Sequence, residues 1–227
     1  MKKILLPCLC FMFAFSQAQR NRLPPPFDFT ADSIKASFVS FTADSTKASL
    51  MGDQYDRALD SQYQLGKDGS FEFRLKQFHL HHNLDNVFVM SLKQGKWVAR
   101  YFDRNNGIHD GLVFTERAVD QAPVNQLWKL LVDKRVLTLP SQGKIANRLV
   151  GYKVDTANLP YGYTTHLEVI DGVEYEFSLH APTGHRHYSY YSPQAYLNKF
   201  SNVEELFDAV MLIALVKKFL GLPLKVN

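Results

Sequence analysis

A run of alternating side chains, Tyr161 to His180, broken at Ile170-Asp171-Gly172, constrains the second half of this chain more than any other feature. Apolar residues recur with period two: Tyr163, Leu167 and Val169 before the break, then Val173, Tyr175, Phe177 and Leu179 after it. Period two is the repeat of a β-strand. The sequence therefore predicts a hairpin whose three-residue loop is Ile170-Asp171-Gly172, with Gly172 in the left-handed position. That loop pairs Val169 with Val173, Leu167 with Tyr175, Thr165 with Phe177 and Tyr163 with Leu179. Every bulky residue then shares one face, and a one-residue slip would scatter them.

The other face of such a hairpin carries Glu168 across from Glu174, His166 across from Glu176 and Thr164 across from Ser178. Opposed side chains lie about 5 Å apart at Cβ, so facing carboxylates repel unless a cation lies over them. Two readings follow. One is a solvated outer face. The other is a divalent-cation or acid–base site formed by His166, Glu176 and a further histidine such as His180.

The start of the chain points to export. Lys2 and Lys3 precede an apolar run from Ile4 to Phe15, and Ser16-Gln17-Ala18 suits cleavage, which makes residues 1–18 a signal peptide. The run is too short to span a bilayer comfortably. Both cysteines, Cys8 and Cys10, fall inside it, and Cys8 lacks a lipobox. A mature chain without cysteine has no disulfide, no thiol nucleophile and no thiolate metal ligand. Removing Lys2 and Lys3 also takes the 26 basic residues to 24, against 22 acidic. With no dense Lys/Arg cluster, nucleic acid is a poor partner. No later apolar run reaches membrane-spanning length.

Residues 19–69 read as an arm or small element. Pro24-Pro25-Pro26 is extended, and Phe29–Phe38 is repeated closely by Phe41–Leu50, offset by 12 residues. Asp53 to Tyr63 has a weak helical pattern. From residue 70 onward the chain reads as one α+β domain. Phe71, Phe73 and Leu75 alternate with Glu72, Arg74 and Lys76, as in a half-buried strand. Val87–Leu92 and Lys96–Phe102 form a hairpin around Gln94-Gly95. A helix with Pro123 in its first turn places Val124, Leu127, Trp128 and Leu131 on one face, and it stops before Leu139-Pro140. Leu149–Val154 is a short strand. Ser192-Pro193 starts a helix, and Ser201 to Glu204 matches a capping box. The helix after it is apolar all round at Ala209–Val216 and ends at Gly221 and Pro223. The predicted fold is an antiparallel sheet of hairpins with two or more helices packed on one face.

Candidate chemistry is sparse. His79 with His81 and His185 with His187 have a spacing that lets two imidazoles reach one metal, though a third ligand is then needed. There is no His-Glu-x-x-His string, no Gly-x-Ser-x-Gly elbow and no glycine-rich phosphate loop. The segment His185–Tyr191 is the most binding-like: Arg186, His187, Tyr188 and Tyr190 combine a guanidinium fork with aromatic faces, with Trp97 and Tyr101 as further candidates. Three functions fit these residues. The first is a non-catalytic exported module that binds a ligand or protein partner and needs no cofactor. The second is a metal-assisted hydrolase using His166, Glu176 and His180. The third is a periplasmic enzyme inhibitor.

Three segments, Trp128–Pro140, the Asp-Gly turn at 171–172 and Tyr190–Pro193, together resemble those of uncharacterised exported proteins of Bacteroidota-type bacteria. There, a strand pair is followed by a helix ending at Leu-Pro, then a hairpin and an aromatic Ser-Pro segment. The likeness covers roughly residues 71–200. It implies a fold arrangement and an exported compartment, and it carries no activity.

Overall fold

The computed structural model describes residues 50–65, 71–79, 83–105, 112–154, 162–181 and 184–224. The predicted signal peptide, the proline run and most of the 12-residue repeat lie outside the described residues. The elements in chain order are α1 (Leu50–Tyr63), β1 (Phe71–His79), β2 (Asn83–Lys93), β3 (Lys96–Arg104), β4 (Phe114–Arg117) and α2 (Val124–Asp133). A 3-10 turn (Gln142–Arg148), β5 (Val150–Val154), β6 (Gly162–His166), β7 (Glu174–Ala181), β8 (Gly184–Tyr191), α3 (Pro193–Lys199) and α4 (Glu204–Phe219) complete it. Six strands form an antiparallel sheet in the order β4-β3-β2-β1-β7-β8, while β5 and β6 pair as a separate ribbon. The α+β architecture is as the sequence predicts.

The hairpin across Asp171 is not formed. β7 leaves the turn and enters the large sheet beside β1, in a register that sets Leu75 against Phe177 and Lys76 against Glu176. Its hairpin partner is β8, with Ser178 opposite His187. β6 pairs instead with β5, His166 opposite Val150. The choice follows from charge: the expected hairpin opposes Glu168 to Glu174, whereas the observed pairing opposes a lysine to a glutamate. The turn also differs in detail. Asp171, not Gly172, takes the left-handed backbone, with φ 57°, and Ile170 projects into solvent. Gly172 serves close approach: a Cβ there would overlap Ser192 Oγ and the Tyr191 ring, and its N–H donates to Tyr191 Oη at 2.9 Å.

Alternation along β1 sends Phe71, Phe73 and Leu75 to one face of the sheet, which α2 and α4 cover. Trp128 of α2 packs against Phe71, Phe73 and Trp97, with the two indoles 4.4 Å apart. Phe219 of α4 meets Phe88. On the same face the Phe177 and Tyr188 rings stack at 4.8 Å. α3 packs on α4.

The reverse face, expected to be solvated, is covered too. α1 lies across it, and Tyr55 and Leu59 join Phe78, Leu84, Val87, Val89 and Phe102 in a second apolar cluster. β1 is thus buried on both sides rather than half-buried. Two helix starts also depart from the predicted chemistry. Ser192 precedes Pro193, but its Oγ accepts from the Val173 N–H rather than from its own helix. The capping box is absent, because α4 begins after Val203 with no side-chain cap. Among the described residues no helix is long and apolar enough to cross a membrane.

Candidate functional site

The charged residues of β1 face α1, and together they build a buried ionic layer. Arg74 donates to Glu72 Oε1 at 2.5 Å, Asp56 Oδ1 at 2.8 Å and Asp60 Oδ1 at 2.6 Å. Lys76, with no exposed surface, donates to Asp56 Oδ2 at 2.5 Å and approaches Glu176 Oε1 at 2.7 Å. Ser91 donates to Glu72 Oε2 at 3.0 Å. Two cations thus serve four carboxylates. Burial raises the Asp60 and Glu176 carboxyls above their usual range; it pushes Asp56 the same way, but Lys76 and Arg74 together outweigh it and hold Asp56 below its own.

The layer continues into a chain that the sequence did not show. Ser178 Oγ lies 3.1 Å from His187 Nδ1, and His187 Nε2 lies 3.3 Å from Glu176 Oε1. Serine, imidazole and carboxylate in line is the order of a nucleophile relay. Here it is sealed: Ser178 and Glu176 are each 2% exposed and His187 6%, leaving no room for a substrate between them. Burial, followed by the nearby Lys76, pulls His187 down to about 4, so the ring is neutral at pH 7. Nδ1 shares a hydrogen bond with Ser178 Oγ, its direction set by the ring's tautomer. The alternation Glu176-x-Ser178 against His187-x-Ser189 held the signal, but only once β7 is paired with β8 instead of β6.

The metal set predicted from the hairpin does not assemble. His166 is exposed on the β5–β6 ribbon, away from the sheet order that holds Glu176 and His180. Glu176 and His180 share a face of β7, yet four residues along a strand is about 13 Å. No group of three or more His, Cys, Asp or Glu among the described residues is placed to hold one ion. His180 Nε2 is buried without a hydrogen-bond partner among the described residues, and burial with the nearby Arg74 pulls that ring down to about 4.

The predicted recognition segment is interior. Arg186 donates to Leu137 O at 2.8 Å and Leu139 O at 2.6 Å, with its guanidinium over the Tyr188 ring. Tyr188 Oη donates to Val136 O, and Tyr190 Oη to Pro140 O. These three side chains supply donors to the carbonyls that follow α2, which a buried loop would otherwise leave unsatisfied. His187 points the other way, into the ionic layer. Trp97 is partly buried against Phe71 and Trp128, and Tyr101 and Arg186 are both buried, so the three form no exposed common surface.

A cleft opens elsewhere, where the end of the sheet meets the last turn of α4. Its floor is Leu75 and Phe88 from the sheet with Ile213 and Val216 from the helix, and it is shallow, with about 20 Å³ open to a water-sized group. Gln77, Asn86, Tyr101, Tyr175 and Lys217 bring polar groups to it. Lys217 Nζ donates to Tyr175 Oη at 3.2 Å. Burial raises the Tyr101 and Tyr175 phenols to about 12 and lowers the Lys217 amine. Nothing in the sequence marked this place, because its residues come from β1, β2, β3, β7 and α4. Compared with known proteins, the chain matches no family model and no curated protein.

Two outcomes follow from the ionic layer. Lys76→Met leaves Glu176 and Asp56 without their shared cation and costs about 3–5 kcal/mol in urea unfolding; adding Glu176→Gln restores at least about 1 kcal/mol. The second concerns pH. His180 and His187 have folded pKa values below their unfolded value of 6.5. Their stabilising share is therefore complete above pH 6.5 and is lost as pH falls toward 4, at up to about 1.4 kcal/mol per pH unit for each ring. Glu176, raised by burial, opposes this nearer its own range. Urea titrations from pH 7.5 to 5 should show the fall, and His187→Gln should make it shallower.

Proposed function

We propose that this protein is an exported, non-catalytic binding module whose ligand site is the cleft between the sheet end and α4. The observation that carries the reading is the division of labour between the two faces of the sheet. Groups able to do acid–base or nucleophilic chemistry (Glu176, Ser178 and His187) are locked to one another beneath α1. The cleft on the opposite face instead converges an apolar floor with a phenol pair, two amides and an amine. Convergent polar groups around an apolar floor are the chemistry by which ligand sites orient a small molecule. Export rests on the basic, apolar and small-residue order of residues 1–18 and on a mature chain without cysteine; the resemblance of residues 71–200 to exported bacterial proteins agrees with it.

Neutral amphiphiles test the cleft. Octan-1-ol and 3-phenylpropan-1-ol should shift the methyl resonances of Leu75, Ile213 and Val216 saturably, leave those of Val89 beneath α1 unmoved, and lose that effect in Ile213→Trp. Shifts that are absent, or that spread over the whole surface, overturn the site. Export is tested by the mass of the protein recovered from the producing cell: a chain beginning at Gln19 supports it, and one retaining Met1 overturns it.

A further inference from the structure

We infer that Gln62 and Gln121 act as strand mimics that hold the β3–β4 edge of the sheet closed to a second copy of this chain. The device does not depend on the ligand cleft. It is an intramolecular contact that denies an interface to the fold's own copies.

An edge strand presents N–H and C=O groups that an added strand can take. At this edge each glutamine supplies both halves of such a pairing from one side-chain amide. Phe114 N–H donates to Gln62 Oε1 at 3.1 Å, and Gln62 Nε2 donates back to Phe114 O at 2.9 Å. Tyr63 Oη donates to the same carbonyl at 2.8 Å. Ala99 N–H donates to Gln121 Oε1 at 2.9 Å, and Gln121 Nε2 returns to Ala99 O at 2.8 Å. A two-way exchange with a single residue is the hydrogen-bonded pair of an antiparallel ladder, made here by a side chain in place of a strand.

The caps are placed where they interrupt a ladder. Backbone groups of alternate residues point to the same side of a strand. Phe114 turns its N–H and C=O away from β3, so Glu116 does as well, while Thr115 and Arg117 turn theirs toward Asp103 and Tyr101 of β3. Where β4 ends, the edge passes to β3, and Ala99 is its next outward-facing residue. Capped Phe114 and Ala99 therefore flank Glu116. An added strand forms its rungs at every second residue, about 7 Å apart, and this spacing leaves it no two in succession.

The edge suits a second copy because it is self-complementary. A copy running antiparallel sets each Phe114 opposite the other copy's Glu116, and Thr115 opposite Thr115, about a two-fold axis. Both rungs of that ladder use a Phe114, so one Gln62 in each copy removes them. Charge alone does not guard the place: Arg100 holds both Glu116 carboxylate oxygens at 2.7 Å, which cancels the repulsion between two acids.

Folding stability does not account for the caps. Gln62 and Gln121 are exposed, water can satisfy the same backbone groups, and fixing a long side chain costs entropy. What the caps change is the partners the edge accepts. The opposite edge is closed by other means. Tyr188 and Tyr190 of β8 have no exposed surface, and Tyr191 N–H donates to Gln142 Oε1 at 2.7 Å.

Gln62→Ala, Tyr63→Phe and Gln121→Ala together strip the edge, and sedimentation equilibrium of the full chain as it is recovered reads the result. The stripped chain should self-associate at least about tenfold more tightly than the parent. Adding Glu116→Pro, which removes an outward N–H and no bond to β3, should return it to the parent's behaviour. Thr115→Cys should cross-link two stripped chains through position 115 and should not cross-link the parent. Gln62→Ala alone with Thr115→Cys serves if the stripped chain does not fold, and it should cross-link faster than Thr115→Cys with Gln62 in place. If stripping leaves association unchanged, the caps do not close the edge and the inference falls. It falls equally if association survives Glu116→Pro, or if the parent already cross-links at 115.

Discussion

One buried ammonium holds the architecture together. Lys76 Nζ joins Glu176 on the neighbouring strand to Asp56 on the helix above, and so ties three segments from widely separated parts of the chain at a single atom. Pairs of this kind contribute little net stability, since the cost of removing both charges from water nearly offsets their attraction. What they supply is selection. β7 carries alternating apolar residues that could line either neighbouring strand, and only the pairing with β1 brings a cation opposite Glu176. Once that register is set, Arg74 falls beneath Asp56 and Asp60, and α1 has one place to lie.

The sheet that results has two unlike sides. On one, α2 and α4 close a dry aromatic core around Trp128, Phe73 and Phe177. On the other, apolar packing under Tyr55 and Leu59 gives way to ionic contacts as the strands run from β2 to β8. Reactive-looking side chains are consumed in that ionic layer. The cleft is formed on the dry side, at the margin where α4 runs out and the core is not sealed.

Much of the architecture was legible in the sequence. The Gln94-Gly95 hairpin, the face of α2 and the all-round apolar character of α4 follow from periodicity and turn chemistry, which act over a few residues. What was not legible depends on partners from 14 to about a hundred residues away. The 170–172 turn is real, but a turn does not specify that the strands on either side of it pair with each other. β1 looked half-buried because nothing in Glu72, Arg74 and Lys76 announces that Asp56 and Asp60 will cover them. Arg186, Tyr188 and Tyr190 looked like a recognition surface for the same reason: the carbonyls of residues 136–140 that they satisfy are invisible in a string of side chains. The cleft is the extreme case, since five elements contribute to it and none carries a motif.

The position of β7 has a consequence for how the chain reaches its folded state. β1 is completed by residue 79, yet its second neighbour is not synthesised until residues 174–181. Until then the middle of the future sheet presents an unpaired strand edge, which is the kind of surface that recruits other chains. A contact closing roughly a hundred residues also makes assembly slow relative to local hairpins. A nascent chain of this protein therefore spends most of its synthesis unable to fold, a state that suits threading through a narrow pore and penalises premature release.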